Sequence, residues 1–568
     1  MNCIGHFSAV ISHFAAVTGL LALAACGSST AAAGDGAPDA AVTTDAVTLA
    51  DGATTTAGVT FHKDVEPILQ VKCQGCHSGT GIAPFALVTY DDAKTRSASA
   101  VAAIASLKMP PWGARETAEC QPRFGWQHDL RVTPAEKATL DAWIAAGTPE
   151  GNPADAPKAG AAPTLALANV DLKVAPHKAY VTSGKDDQMR CFTLDPGITT
   201  ATWLNGIQII PGNPLVVHHA LVFLDPNGDA AKLADADGEY DCFGGPGING
   251  KLIEAWAPGA VPLEFPSNVG TPIAAGSKLV MQIHYHPAGN TADPDTTQIL
   301  MRFNKTAPEW IGASVLIGNF ASANDNGGAL LPGEDDGPNG PEFVIPPNKP
   351  AHHEAMVFHL PAQLNGAALP ELRVYGVGTH MHYVGQDMKV WVERAFAAPA
   401  CTSAQLDPLV ACTQQNCPGA SGGDLVTCAT KSCATQAAAL AGPCGDCIKA
   451  GVLAGSRVAD LVTACEQVQP KPATITDPAT ECFVQTPAWD FNWQRIYNYD
   501  APLEQLPILR AGDALNMRCT YNNTLDNPFV KIALGLKGLT DPVAVKLGET
   551  TLDEMCLAIV QIVYKAAP

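Results

Sequence analysis

Three apolar runs carry their histidines in pairs, and nothing else in this 568-residue chain limits the fold as strongly. They are Val216-Val217-His218-His219-Ala220-Leu221-Val222-Phe223, Val280-Met281-Gln282-Ile283-His284-Tyr285-His286 and Tyr375-Gly376-Val377-Gly378-Thr379-His380-Met381-His382. Each reads as a buried strand. Residues two apart on a strand share a face, so His380 with His382, and His284 with His286, can converge on one ion. His218 and His219 are adjacent. Both reach one ion only if the backbone kinks or the rings reach it sideways. A single such histidine is ordinarily a satisfied core residue, whereas three clusters on apolar strands point to metal, and imidazole sets suit copper, zinc or iron. The 51 glycines and 45 prolines supply the turns that β-rich domains need.

The length predicts about three domains. Residues 1–26 read as an export signal, with a short apolar run from Phe14 to Ala25. Leu23-Ala24-Ala25-Cys26-Gly27 resembles a bacterial lipobox, which implies cleavage before Cys26 and a lipid anchor on that residue. Residues 27–58 are Ala, Thr, Gly and Asp and read as a flexible tether. The expectation is an exported protein, a periplasmic or outer-membrane-anchored lipoprotein that meets the membrane only through that anchor. Eighteen cysteines in such a chain predict disulfides in an oxidising compartment. A net charge of −21 excludes nucleic acid as a partner.

Cys73-Gln74-Gly75-Cys76-His77 is a C-x-x-C-H motif: two thiols spaced to bond the vinyl groups of one haem c, with a histidine placed to reach the iron. Helical spacing of Phe61, Val65, Ile68 and Leu69 precedes it, and Thr133-Pro134-Ala135-Glu136 reads as a capped helix start. Residues 59–152 are therefore expected to form a small all-α, cytochrome c-like haem domain that transfers electrons. Met109, on the Met109-Pro110-Pro111-Trp112 loop, is the leading sixth ligand, with His62 and His128 as alternatives. Residues 153–166 read as a linker.

Beyond the linker the chain resembles the copper type II, ascorbate-dependent monooxygenases, typified by peptidylglycine α-hydroxylating monooxygenase and dopamine β-monooxygenase. The motifs occur in family order: Met189-Arg190-Cys191, His218-His219, Glu254-Ala255-Trp256-Ala257-Pro258-Gly259, Gln282-Ile283-His284-Tyr285, His380-Met381-His382, Asp490-Phe491-Asn492-Trp493-Gln494, Arg518-Cys519-Thr520-Tyr521-Asn522 and Asp553-Glu554-Met555-Cys556. The resemblance implies two antiparallel jelly-roll β-sandwiches, residues 167–305 and residues 306–398 with 483–568, with copper ions facing each other across a cleft. It implies a first copper on His218, His219 and His284, which stores an electron. The second copper, on His380, His382 and Met555, activates O₂, and these three are the expected catalytic residues. The Met555 thioether is a soft ligand that favours Cu(I). His286 is left outside both ligand sets. Disulfides Cys191–Cys242 and Cys519–Cys556 are also implied.

Two departures bear on the substrate. The peptide-hydroxylating members place a carboxylate-gripping Arg where this chain has Gly378, and their Asn and Tyr after the ligand Met are Leu557 and Ile559. An apolar or neutral small molecule is then the expected substrate. Residues 399–482 form an Ala-rich insertion with nine cysteines, in which Cys401, Cys417 and Cys433 recur every 16 residues, as do Cys412, Cys428 and Cys444. This reads as short helices stapled by disulfides, with the ninth cysteine left to pair with Cys120 or to stay free. The expected function is hydroxylation of a C–H bond with O₂ and two electrons, relayed by the haem from a redox partner, ascorbate or another external reductant. The alternative is a non-enzymatic copper- and haem-binding electron-transfer lipoprotein. A zinc hydrolase ranks last, because no acidic residue stands where H-E-x-x-H places its base.

Overall fold

The structure is a computed structural model. It describes residues 58–566 apart from 80–82, 158–165, 185, 244, 288–292, 320–329, 334, 337–340, 365–366, 396–400, 402, 441–442, 454–457, 459–460, 462–464, 466–476 and 551. The expected signal segment, Cys26 and almost all of the tether lie outside the described residues.

The expected fold class is not what the chain adopts. Among the described residues it is mostly β, with 23 strands in several sheets and eight helices of 5 to 16 residues, and no small all-α N-terminal domain is evident. The chain forms two compact units, and the expected haem domain is split between them: residues 111–129 belong with the β body, while the described residues within 58–110 and 130–157 form the smaller unit. The reason is chemical. Pro111, Gly113, Pro122 and Gly125 keep residues 111–129 from coiling. The Cys120–Cys482 disulfide then bonds this strap to a strand of the β body. Arg123 pairs with Glu481 at 2.8 Å, and Trp126 stacks on Tyr499 at 5.0 Å between centroids.

The smaller unit holds helices Glu66–Lys72, Tyr90–Ala105 and Pro134–Ala145 with long irregular segments between them. Phe61, Val65, Leu69, Leu140 and Trp143 are buried together. Thr133 and Glu136 close a reciprocal cap at the start of the third helix, and Thr89 and Asp92 do the same for the second. Each cap satisfies two amides that the first turn would otherwise leave unbonded.

Two separate jelly rolls are not found either. One ten-stranded sheet takes strands from both expected sandwiches, joined where Val269–Ile273 runs parallel to Trp310–Asn319. A five-stranded sheet contains Gln188–Leu194, Val217–Asp225, Lys251–Trp256 and Lys278–Tyr285. A four-stranded sheet contains His352–His359, Gly385–Glu393, Thr480–Thr486 and Ala514–Tyr521. Leu316 and Ile559 of the large sheet pack on the five-stranded sheet around Phe223, Tyr240 and the Cys191–Cys242 disulfide. The Cys519–Cys556 disulfide bonds the four-stranded sheet to Cys556–Lys565 of the large one.

The insertion leaves and re-enters at adjacent ends of the paired strands Gly385–Glu393 and Thr480–Thr486. Its cysteines pair as nested staples, Cys401–Cys444, Cys412–Cys433 and Cys417–Cys428, with Cys447–Cys465 beside them. The 16-residue recurrence matches this nesting, since each bond joins one cysteine series to the other in reverse order. Cys444 and Cys447 each bond elsewhere, so that C-x-x-C is not a redox pair. Cys482 is the ninth cysteine and takes Cys120.

Seven disulfides fit an oxidising, extracellular environment. Among the described residues no helix is long and apolar enough to cross a membrane.

Candidate metal centre

The five-stranded sheet builds the first histidine group. His219 lies opposite His284 in the antiparallel pair Val217–Asp225 and Lys278–Tyr285, and the register slips between Val217 and His219. This bulge is the kink that lets adjacent residues turn to one side. As a result His218 Nδ1 lies 3.2 Å from His219 Nδ1. Two nitrogens bound tetrahedrally at 2.0–2.1 Å from one ion would stand about 3.3 Å apart. One ligand atom each from His218, His219 and His284 lie within 4.8 Å of one another. His218 Nε2 and both ring nitrogens of His284 are buried without a hydrogen bond; Asp187 Oδ2, 3.3 Å from His284 Nε2, is not aligned for one. Buried imidazole nitrogens are costly unless something binds them, so this donor set fits a metal.

The large sheet supplies the second group. His380 ends the strand Leu372–His380, opposite Leu557 of Cys556–Lys565, and the chain turns through His382. The His380 and His382 rings are 5.1 Å apart between centroids, and His219 is 5.6 Å from His380. The two groups thus adjoin rather than face each other across a wide gap. Burial, with neighbouring imidazoles adding to it, holds His218, His219 and His382 well below the usual histidine range, and burial holds His380 down to about 4. All four are neutral at pH 7, the form that coordinates metal.

Several residues with no role assigned from sequence orient these rings. The Gln494 amide donates to Phe491 O (2.9 Å), which turns its Oε1 toward His380 Nδ1 at 2.6 Å. That contact places the His380 proton on Nδ1 and leaves Nε2 as the donor. His382 Nδ1 donates to Asp553 O at 3.1 Å with the same effect. Phe491 stacks on His218 with centroids 4.0 Å apart. Glu554 Oε2 accepts from the amides of His382 (2.8 Å) and Met555 (2.9 Å), and its Oε1 accepts from Val384 (3.0 Å). One carboxyl thereby holds the backbones of both second-group segments. Asp187 bonds His286 Nδ1 and stands beside His284, so His286 borders the first group with one ring nitrogen already held by a carboxylate.

Met555, His219, His380 and His382 line one largely apolar cavity of about 600 Å³. Gly378 also lines it. A Cβ there would meet Ile496 Cγ1 at 2.9 Å, so the position has no room for a gripping side chain.

In the smaller unit, Cys73 and Cys76 are the described cysteines that are not in disulfides. His77 is buried, with Nδ1 2.9 Å from Phe85 O, which leaves Nε2 for an axial bond. Burial pushes the Cys73 thiol up to about 12. Met109 is about a third exposed (36%), His62 bonds Glu66 at 2.8 Å, and His128 sits on the strap, in the other unit.

No family model matches this chain, and no curated protein matches it. Among solved structures, a peptide-N(4)-(N-acetyl-beta-D-glucosaminyl) asparagine amidase is 10% identical over 69% of this chain and 99% of its own, with a TM-score of 0.22. An oxalate decarboxylase of Lactobacillus farciminis is 9% identical over 71% of this chain and 90% of its own, with a TM-score of 0.10. Scores this low bear on neither fold nor chemistry.

Proposed function

We propose that this protein is a copper-dependent monooxygenase that hydroxylates a C–H bond: R–H + O₂ + 2e⁻ + 2H⁺ → R–OH + H₂O. One observation carries the reading. Neutral, oriented imidazoles from three strands gather in one place, beside an apolar cavity that Met555 also lines. His218, His219 and His284 would hold one copper, and His380, His382 and Met555 the other. Bound copper supplies the one-electron chemistry with O₂ that no side chain here provides.

The chain's own residues do the positioning. Gln494 and the Asp553 carbonyl fix the tautomers of His380 and His382, and Glu554 holds Met555 in register with His382. Apolar cavity walls exclude water from the reacting C–H bond. We assign Cys73, Cys76 and His77 to a covalently bound haem c that relays electrons from a redox partner or ascorbate, and Met109 to its second axial position. Export with a lipid on Cys26 is part of the same proposal; the disulfide-rich body supports the compartment.

The test is metal analysis of the pure protein, expecting two coppers and one haem per chain, followed by oxygen uptake with a reductant. Met555→Ala should abolish hydroxylation and leave haem reduction intact. Protein with two coppers that reoxidises its haem but makes no product from any substrate would leave the electron-transfer reading in its place.

A further inference from the structure

We propose that Asp187 is a positioning residue that biases electron flow between the two histidine groups: its carboxylate backs His284 and holds the first ion toward its oxidised state. The inference rests on the two-copper reading above. Asp187 directly precedes the strand Gln188–Leu194, in which Gln188 lies opposite Tyr285. That register brings Asp187 to His286, and residues two apart on a strand share a face, so His284 presents its ring to the same side. Asp187 Oδ1 bonds His286 Nδ1 at 2.5 Å, and Oδ2 stands 3.3 Å from His284 Nε2. The Asp187 side chain is only 10% exposed, so water screens its charge poorly. Asp187 is not part of the group whose ligand atoms lie within 4.8 Å of one another. The carboxylate therefore stands behind the His284 ring instead of joining the ion. A neutral imidazole carries one ring proton. With Nδ1 given to the ion, that proton sits on Nε2, beside the carboxylate.

The second group is backed differently. His380 Nδ1 meets the neutral amide oxygen of Gln494, and His382 Nδ1 meets the peptide carbonyl of Asp553. Glu554 gives both of its oxygens to backbone amides. A carboxylate behind a ligand makes the imidazole a stronger donor and adds a negative charge close to the ion. Both effects favour the more positive of two oxidation states. Neutral acceptors and a thioether leave the second ion nearer its reduced state. The difference makes transfer from the first ion to the second downhill: one electron leaves the first and arrives at the second, and no atom or proton changes place. His286, which neither ligand set uses, clamps the far oxygen of the carboxylate and so fixes its aim at His284.

The experiment measures Cu(I) and Cu(II) affinities of the full-length protein by competition with a chelator selective for each state. It uses a His380→Ala/His382→Ala background, which leaves the first group as the copper site under test. Asp187→Asn keeps the side-chain shape and removes the charge. It should weaken Cu(II) binding by about 10- to 100-fold and Cu(I) binding by about tenfold less than that, so the Cu(II) preference falls. Asp187→Glu keeps the charge and should recover part of the preference. Equal losses in the two states would show a purely structural role and overturn the assignment, as would unchanged affinities in Asp187→Asn. Failure of the copper reading would look different: the background protein with Asp187 intact would bind copper in neither state, and the premise would fall with it.

Discussion

Glu254 lies fully buried in the strand Lys251–Trp256, and burial raises its carboxyl to about 8 from an ordinary 4.5. Its Oε1 accepts from the Ala255 amide at 2.9 Å, while Oε2 has no hydrogen bond. Between pH 4.5 and 8 the native protein therefore keeps a proton that the unfolded chain releases. Stability from this group is complete below pH 4.5 and is lost as pH rises toward 8. With 1.36 kcal/mol per pKa unit, the loss between pH 5 and pH 8 is about 3 to 4 kcal/mol. Glu254→Gln keeps the shape and removes the titration. The stability of the variant relative to the parent should then climb by about 3 to 4 kcal/mol between pH 5 and pH 8, read from urea unfolding followed by tryptophan fluorescence. Glu554 is also raised to about 8, but it is common to both proteins and cancels in the difference. A difference that stays flat across this window would refute the reasoning and show that the buried carboxyl is ionised or solvated.

Other substitutions test the site. Gln494→Leu removes the acceptor that orients His380 and should weaken metal binding at the second group by about 10- to 100-fold in a chelator competition titration, with little change at the first group. Phe491→Ala opens a hole against His218 and should cost about 3 to 5 kcal/mol in unfolding measurements. Cys73→Ala combined with Cys76→Ala should eliminate covalently bound haem, seen by mass and by absorbance, while all seven disulfides persist. Metal added to the apo protein at about a hundredfold over its Kd should stabilise it by about 2.7 kcal/mol, and His284→Ala should abolish much of that gain.

The histidine groups were legible because strands impose a two-residue period, and the bulge at His218 was readable as a condition: adjacent ligands require a kink. The Cys191–Cys242 and Cys519–Cys556 bonds followed from the family resemblance, and the 16-residue recurrence foreshadowed the nested staples. The shared ten-stranded sheet was not legible. It depends on a parallel pairing of Val269–Ile273 with Trp310–Asn319, and a contact so far from any turn leaves no local pattern. The strap was missed for a related reason. The odd ninth cysteine had Cys120 as one of its two outcomes, but no local pattern shows that this bond, across 362 residues, draws 111–129 away from the helices on either side. Gln494, Phe491, Asp187 and Glu554 lie in loops or at strand edges, where a buried polar or aromatic residue has no periodic signature. Gln494 and Phe491 did sit inside a motif quoted for the resemblance, and the residue types in that motif were the available signal.

The nested staples of the Cys-rich segment make it a self-contained graft. Four bonds begin and end between Cys401 and Cys465, the ninth cysteine, Cys482, lies in the returning strand and ties that strand to Cys120, and Glu393 faces Thr480 where the segment departs and returns. In genetic terms it occupies the place of a hairpin turn, where foreign sequence is tolerated best. Lineages could acquire, exchange or discard such a cassette in one recombination event, and the β body beneath would not need to be redesigned.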